Sequence, residues 1–284
     1  MMPVRQRFRT RQGLPALVLA TAAAPCLAQE STNVPAATQP SVSRFYLREK
    51  LQYISFGDDP SPTDRDNDKF VLTSSLSYGI SRTVSATLDV PLVLSTSSDD
   101  RDEFFGVNDL SLSLKWRFWQ EDLGPVDSIR LAAVGGIEIP TYDEDHSSES
   151  WDPYAGLIFT AILGRHGVNQ SLRYKFNSGD NDFTEFTTRG GDGENDAFFY
   201  DTSYLFRLAP SQYTADTKGA LYLTLELNGL YETNDDNEII LGPGILYEAW
   251  RFAIEASVGF PIVEDVDERP EMDFVASMGF RFLF

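Results

Sequence analysis

The chain has 284 residues, a formal net charge of −20 and a single cysteine. The acidic balance argues against a nucleic-acid-binding protein, because phosphates repel a negative surface, and one cysteine excludes an internal disulfide. The sequence contains no phosphate-binding loop, zinc-ligand spacing or basic patch. We therefore expect no cofactor and no nucleic-acid partner.

The N-terminal segment is typical of a secretory signal peptide. Four arginines and no acidic residue precede an apolar stretch over 14–24. This stretch is too short to span a bilayer as a helix, and the Ala-Ala-Pro ahead of Cys26 suits a lipoprotein signal poorly. We predict a signal peptide over 1–28, cleaved after Ala28. A flexible periplasmic leader rich in Ala, Ser, Thr and Pro follows over 29–43.

From residue 44 to residue 284 the sequence follows a regular rhythm of strands and loops. In 221–228, for example, four leucines alternate with Tyr, Thr, Glu and Asn. Such alternation indicates strands with one apolar and one polar face. The predicted strands are 44–57, 69–79, 83–95, 106–119, 128–141, 152–164, 167–177, 197–208, 219–231, 238–248, 251–262 and 271–284. The first strand fits the pattern worst, because Glu49 shares parity with Leu47 and Leu51; a bulge there would restore it.

The final predicted strand ends on an aromatic residue. Phe280, Phe282 and Phe284 share its apolar face. A C-terminal strand ending in Phe resembles the assembly signal of bacterial outer-membrane proteins, which implies the barrel-assembly machinery as a partner. A bare apolar edge invites aggregation, whereas closure into a membrane barrel removes the edge and turns the aromatic face towards lipid.

The connections between the predicted strands alternate in kind. The first, third, fifth, seventh, ninth and eleventh hold 28 of the 43 acidic residues, whereas the others are mostly short and balanced in charge. Short turns on one side and long loops on the other are typical of outer-membrane barrels. We predict an all-β fold, an antiparallel 12-stranded transmembrane β-barrel of the bacterial outer membrane, with both termini in the periplasm.

Aromatic residues at the predicted strand ends agree with this topology. Trp119 and Trp250 lie at short turns, while Trp151 and Tyr231 lie beside the acidic loops. Belts of Trp and Tyr at both interfaces are expected of a barrel that faces lipid. Membrane lipid and lipopolysaccharide are therefore the expected partners of the outer surface.

The polar face of the strands predicts a charged lumen. A buried charge must be paired or hydrated. These side chains therefore either form pairs that stabilise the barrel or line a narrow path and set its selectivity. Twelve strands lie between small filled barrels and wide pores. The lumen candidates are Asp109, Lys115, Arg117, Glu138, Arg173, Glu226, Glu255 and Arg281.

Weak patterns in the acidic loops suggest two further sites, one for divalent cations and one catalytic site. The loops are either solvated surface or a mouth that attracts cations. Asp64, Asp66 and Asp68 place carboxylates at every second residue, which is a weak pattern for divalent cations such as calcium. His146 lies among acidic residues, as in outer-membrane proteases, but neighbours in sequence do not make a catalytic triad. We predict no enzyme.

Two stretches resemble one family of bacterial outer-membrane barrels. Residues 77–92 read SYGISRTVSATLDVPL and residues 105–118 read FGVNDLSLSLKWRF. They are similar to motifs of the family named for the meta-cleavage pathway of phenol degradation, with Asn108 in place of a usual glycine. The Glu-Ile-Pro-Thr at 138–141 resembles the next strand of that family. The resemblance implies a transporter-like barrel for aromatic or other small hydrophobic solutes.

The expected function is that of an outer-membrane channel or transporter for passive uptake of small solutes. One alternative is a plugged structural or binding barrel that uses its acidic outer loops as a surface. A third class is an outer-membrane hydrolase around His146. The sequence alone does not say whether the lumen is open.

Overall fold

The computed structural model describes residues 29–57, 68–96, 104–141, 147–179, 191, 193–214, 216–267 and 269–284. Within these residues thirteen β-strands form. In chain order they are β1 (Phe45–Phe56), β2 (Asp68–Gly79), β3 (Val84–Thr96), β4 (Phe104–Val107), β5 (Leu110–Asp122), β6 (Ser128–Ile139), β7 (Asp152–Leu163), β8 (His166–Lys175), β9 (Ala197–Ala209), β10 (Gly219–Glu232), β11 (Asn237–Ala249), β12 (Phe252–Asp265) and β13 (Met272–Leu283). No helix in the described part of the chain is long and apolar enough to cross a membrane.

All thirteen strands belong to one antiparallel sheet that closes on itself. Sequential strands pair with one another, except that β4 and β5 both pair with β3, and β1 pairs with both β2 and β13. At the seam the backbone amide of Phe45 donates to the carbonyl of Phe284 and the amide of Phe284 donates back, both at 3.0 Å. Closure leaves no free edge. The twelve-stranded antiparallel barrel is therefore confirmed, with β4 and β5 forming one crossing.

That crossing is split where the sequence predicts one strand over 106–119. Strand β3 pairs with β5 as far as Asp89 and with β4 from Leu92 onward. Pro91 lies between these two pairings and has no amide hydrogen to give to the ladder. Its carbonyl instead accepts from the amide of Asn108 at 3.0 Å. A missing donor on β3 thus accounts for the interruption.

Strand alternation sorts the side chains between two faces. On β10, Leu223 and Leu225 are exposed on the outside, while Thr224 and Glu226 are buried on the inside. The same alternation places Leu112, Leu114 and other large apolar side chains on the outer surface. An apolar outer surface with every ladder closed is what a lipid environment requires.

Glu49 is an exception on the outer face. The pairing of β1 with β2 runs without a register shift from Phe45 to Ile54. The predicted bulge at Glu49 is therefore wrong. Glu49 points outward with Leu47 and Leu51. Its carboxylate accepts a hydrogen bond of 2.6 Å from the hydroxyl of Ser74 on β2. A local partner on the neighbouring strand, and not a change of register, accommodates this charge.

The two ends of the barrel differ, and we name them after their connections. At the turn end the strands are joined by short segments, over 80–83, 123–127, 164–165, 210–218 and 250–251. The loop end is the opposite one, beyond Phe56, Ile139 and Glu232. Trp119 and Trp250 are exposed at the turn end, and Trp151 and Tyr231 at the loop end. The aromatic residues thus occupy both rims of the apolar band.

Residues 29–41 enter the barrel; the sequence predicts a flexible periplasmic leader over 29–43 and leaves open whether it enters the lumen. Thr32, Val34 and Ala37 are almost fully buried inside the lumen. The expectation of a flexible segment is wrong for these residues, because inward-facing side chains of the wall satisfy its backbone polar groups. The predicted signal peptide over 1–28 lies outside the described residues.

Candidate functional site

Residues 29–41, which we call the plug, form a loop in the turn-end half of the lumen. Near the turn end the Asn169 side chain donates to the carbonyl of Gln29 at 2.9 Å. At mid-height the Asn33 side chain donates to Glu226 at 2.8 Å. The chain then returns, and the Gln39 amide donates to the carbonyl of Thr83 at 2.8 Å. Both ends of the plug therefore lie towards the turn end.

A buried ionic cluster holds the first part of the plug. Glu255, on β12, accepts from Arg48 at 2.6 Å and also from Arg281, on β13. Arg48 donates to the carbonyls of Ser31 and Thr32, and Arg281 donates to that of Ser31 at 3.0 Å. Because Glu255 and Arg281 are about 1% exposed, their charges depend on these partners. The wall thus grips the plug backbone through charge-assisted hydrogen bonds.

The second part of the plug is held from the opposite wall. The Lys115 ammonium donates to the carbonyl of Ala36 at 3.0 Å. The amide of Ala37 donates to the Thr160 hydroxyl at 2.8 Å, and that hydroxyl donates to Asn169 at 2.8 Å. The plug is therefore anchored on both sides of the lumen, mostly through its backbone.

A polar cavity of about 860 Å³ remains between the plug and the wall. It extends from Asp109 near the loop end to Arg117 near the turn end. Its volume lies in the range of about 300–1,000 Å³ usual for small-molecule sites. On β2, β3 and β5 the cavity is lined by hydroxyl groups, which belong to Thr73, Ser75, Ser77, Ser85, Thr87, Ser111 and Ser113. A hydroxyl-lined passage of this size suits hydrated small solutes.

The eight lumen candidates all lie on the inner face, but they divide into two groups. Five of them line the cavity, namely Asp109, Lys115, Arg117, Glu138 and Arg173. The other three are buried beside or behind the plug. Glu226 and Arg281 contact it directly, and Glu255 pairs with Arg48 and Arg281, which donate to the plug backbone. The structure therefore separates the candidates by position, with five beside the cavity and three beside or behind the plug.

The loop-end half of the cavity contains locally matched charges. Glu138 pairs with Lys175 at 2.9 Å. Asp109 accepts from the backbone amides of Thr141 at 3.2 Å and Ser148 at 3.0 Å. These bonds tie the β6–β7 connection to the β4–β5 interruption.

Aromatic rings flank one cation in the same half. The guanidinium carbon of Arg173 lies 4.2 Å from the ring centre of Phe199 and 5.1 Å from that of Tyr154. The Tyr154 ring in turn covers Gly136, where a β-carbon would meet the ring at 2.4 Å. Glycine on β6 therefore lets the ring lie flat against the wall and keeps the cavity open.

Several site residues are missing from the sequence prediction. Arg48 and Lys50 line the cavity, and their parity opposite Leu47 and Leu51 would have placed them on the inner face. For the plug no such signal exists, because many of its contacts use backbone groups and its contacting side chains, Glu30, Asn33 and Gln39, follow no period.

The loop-site hypotheses have little structural support. Asp64, Asp66 and His146 lie outside the described residues. Asp68 accepts a hydrogen bond of 2.5 Å from the Tyr53 hydroxyl. Among the residues that the structure describes, no group of three or more His, Cys, Asp or Glu is placed to hold a metal ion.

The closed sheet, the apolar exterior and the polar lumen define an outer-membrane β-barrel protein. The chain belongs to the family described as "Putative MetA-pathway of phenol degradation", whose model matches residues 42–276. The resemblance carried by residues 77–92 and 105–118 is thereby confirmed.

Solved structures are similar to this chain at low sequence identity. An outer membrane channel from Pseudomonas putida F1 is similar with a TM-score of 0.57 and 13% identity, over 88% of this chain and 100% of that one. The NanC porin has a TM-score of 0.48 and 9% identity, over 84% and 98% of the two chains. LpxR from Salmonella typhimurium has a TM-score of 0.47 and 9% identity, over 84% and 100%. Comparison with curated proteins gives no match.

Proposed function

We propose that this protein is a passive outer-membrane channel for small solutes, narrowed by its own plug. The observation that carries the proposal is the cavity of about 860 Å³, which extends beside the plug from Asp109 to Arg117. Hydroxyl groups along one wall replace water around a permeating solute without binding it tightly. The fold shared with the Pseudomonas putida channel supports the same function.

The proposed orientation follows from the charge of the connections. The acidic loop end faces outward and the turn end faces the periplasm, as in other outer-membrane barrels. Both termini then lie in the periplasm, after removal of a signal peptide over 1–28. Phe280, Phe282 and Phe284 form the segment that the barrel-assembly machinery reads, and the acidic loops lie at the level of lipopolysaccharide.

Aromatic compounds are the solute class that we infer, on two grounds. The family description names phenol degradation. The cavity also presents the aromatic rings of Tyr46, Tyr154 and Phe199 among its hydroxyl groups, and such rings stack favourably on aromatic solutes.

The test is solute permeation into liposomes that contain the refolded, full mature chain. Neutral sugars of increasing size serve as probes, because none crosses the bare bilayer quickly. We expect swelling whose rate falls with solute size, and faster swelling after deletion of residues 29–41. A barrel that is folded by its heat-modifiable gel migration but admits none of the sugars, with or without the plug, would contradict the channel.

The second candidate is a closed binding barrel, and the plug itself is the observation that favours it. Anchors on both walls, through Arg281 and Lys115, would then hold the lumen shut. In that case the wild type excludes every sugar and only the plug deletion admits them. A hydrolase is a weaker candidate, since its proposed centre depends on His146; loss of a measured hydrolysis in His146→Ala would be needed to support it.

A further inference from the structure

Charge along the cavity is segregated between its two halves. The acidic lining residues Asp89, Asp109, Glu138 and Asp201 all lie at mid-height or towards the loop end. The turn-end half is lined by Lys115, Arg117 and Arg130 on β5 and β6. A solute that reaches the periplasmic half therefore meets a cluster of positive charges.

The acidic group that faces this cluster, Glu30, already has a cationic partner. Glu30 of the plug lines the cavity, but its carboxylate pairs with Arg281 at 3.6 Å. In the same way Glu138 pairs with Lys175. Two of the lining carboxylates, Glu30 and Glu138, are thus paired with cations of the wall.

Two cations of the turn-end half, Lys115 and Arg117, donate to backbone carbonyls instead. Lys115 donates to the carbonyl of Ala36 at 3.0 Å, and Arg117 donates to the carbonyl of Arg82 at 2.6 Å. No described carboxylate lies within 4 Å of Lys115 or Arg117. Backbone carbonyls orient a cation without cancelling its charge. The positive potential of the cluster consequently extends into the passage.

Acidic residues nearby lie at the rim and not in the passage. Glu121 and Asp122 end β5 at the turn end and are exposed to solvent. Asp122 accepts a hydrogen bond from Gln120 at 2.6 Å, and neither acid lines the cavity. Charges in open water are screened much more strongly than charges in a narrow polar passage.

We propose that Lys115, Arg117 and Arg130 form an anion subsite for small solutes that carry one carboxylate, so that the passage favours anions although the whole chain is strongly acidic. The inference rests on the proposed channel function and names the solute class of the same cavity. Two guanidinium groups and one ammonium are opposite in charge to a carboxylate and can donate hydrogen bonds to both of its oxygens. The ring of an aromatic carboxylate bound there would lie among the hydroxyl groups that line the cavity.

The first test is the reversal potential of single channels in a planar bilayer under a steep KCl gradient. We expect chloride to permeate better than potassium in the wild type. Arg117→Glu should lower the chloride-to-potassium permeability ratio by about twofold or more, and Arg117→Gln should lower it less. The matched control is Arg251→Glu, which makes the same charge change at an exposed residue of the turn end outside the cavity.

The second test asks whether a carboxylate binds there. Benzoate added to the wild type should reduce the chloride current, and this block should weaken severalfold in Arg130→Gln or Arg117→Gln. Benzyl alcohol, which lacks the charge, should not block.

Three outcomes overturn the anion subsite while leaving the channel intact. These are potassium preference in the wild type, an equal shift in Arg251→Glu, and benzoate block that survives both cavity variants. A folded barrel that passes neither ions nor sugars overturns the channel itself. Lys115 is left unchanged in these variants because its bond to Ala36 also holds the plug, which would alter conductance as well as selectivity.

Discussion

The carboxylate of Glu30 lies 3.6 Å from the guanidinium of Arg281, and this contact ties the plug to the last strand of the barrel. Burial acts to raise the pKa of Glu30, but the charges of Arg281, Arg48 and Lys115 outweigh burial and hold that pKa below its ordinary value. The carboxylate therefore stays ionised inside the lumen at neutral pH. The ion pair that holds the plug in place therefore also neutralises Glu30, which lines the cavity.

Acidification should loosen the plug through Glu30. Because its pKa is lowered in the folded protein, the stabilisation is present above the unfolded-state pKa of about 4.3 and is lost as the pH falls through the folded-state pKa. We expect the mean conductance of the wild type to rise in that acidic range. Glu30→Gln should show a raised conductance already at neutral pH and a smaller acid response.

The control for this prediction is Asp216→Asn, which removes one carboxylate from an exposed turn-end position. It should retain the acid response of the wild type. An acid response in Glu30→Gln as large as that of the wild type would show that another group releases the plug.

Arg269 should be the main stabilising residue of the described loop end. Its guanidinium donates to Glu232 at 2.9 Å and to Glu238 at 3.1 Å, and all three residues are buried. Arg269→Met would leave two like charges buried without a cation, which costs about 3–5 kcal/mol. Urea unfolding in detergent micelles measures the loss. Arg251→Met, at an exposed site, should change the midpoint little; equal effects of the two variants would contradict a specific role for Arg269.

Glu49 should reduce the stability of the barrel in lipid. It is a carboxylate on the lipid-facing wall, near the middle of β1, with the Ser74 hydroxyl as its partner. Glu49→Leu should raise the free energy of unfolding in bilayers by roughly 1–2 kcal/mol, since acidic side chains facing lipid cost less than basic ones but more than leucine. Glu49→Gln keeps the bond to Ser74. Its free energy of unfolding should lie between those of the wild type and Glu49→Leu. A loss of stability in Glu49→Leu would instead indicate that the carboxylate has a partner in the membrane.

Phe284 should matter for assembly beyond its packing. Its ring stacks on Phe45 with ring centres 5.8 Å apart, and on Phe282 at 5.9 Å. Phe284→Ala and Phe45→Ala remove the same stacked pair from opposite sides of the seam, and each should cost about 0.5–1.5 kcal/mol of stacking. In cells, Phe284→Ala should lower the folded fraction severalfold more than Phe45→Ala. Equal folded fractions would reduce the role of Phe284 to closing the seam.

The fold could be predicted because two independent patterns agree along the chain. Alternation such as that of 221–228 fixes which side chains face outward, since the period of a strand is two. The acidic loops then fix which strand ends share a side. The break before Asp109 escaped prediction because it depends on Pro91, which lies on the neighbouring strand and reaches Asn108 only through the register.

The site could be predicted only in part, for a related reason. Parity placed Lys115 and Arg117 inside the lumen, but their partners are backbone carbonyls of Ala36 and Arg82, which no side-chain pattern encodes. Glu226 accepts a hydrogen bond from Asn33 of the plug inside the lumen. Such a contact follows from the path of a short segment without periodicity, and residue-by-residue propensity does not give that path.

The position of both plug ends at the turn end has a mechanical consequence. A pull on the chain at Gln29 would break the contacts of the plug one after another. The bond to Asn169 would break first. The hydrogen bonds from Arg48 and Arg281 to the plug backbone would follow, and then the bond of Asn33 to Glu226. No strand pairing needs to open. A modest force acting from the turn end could therefore extract the segment and leave the surrounding barrel unchanged.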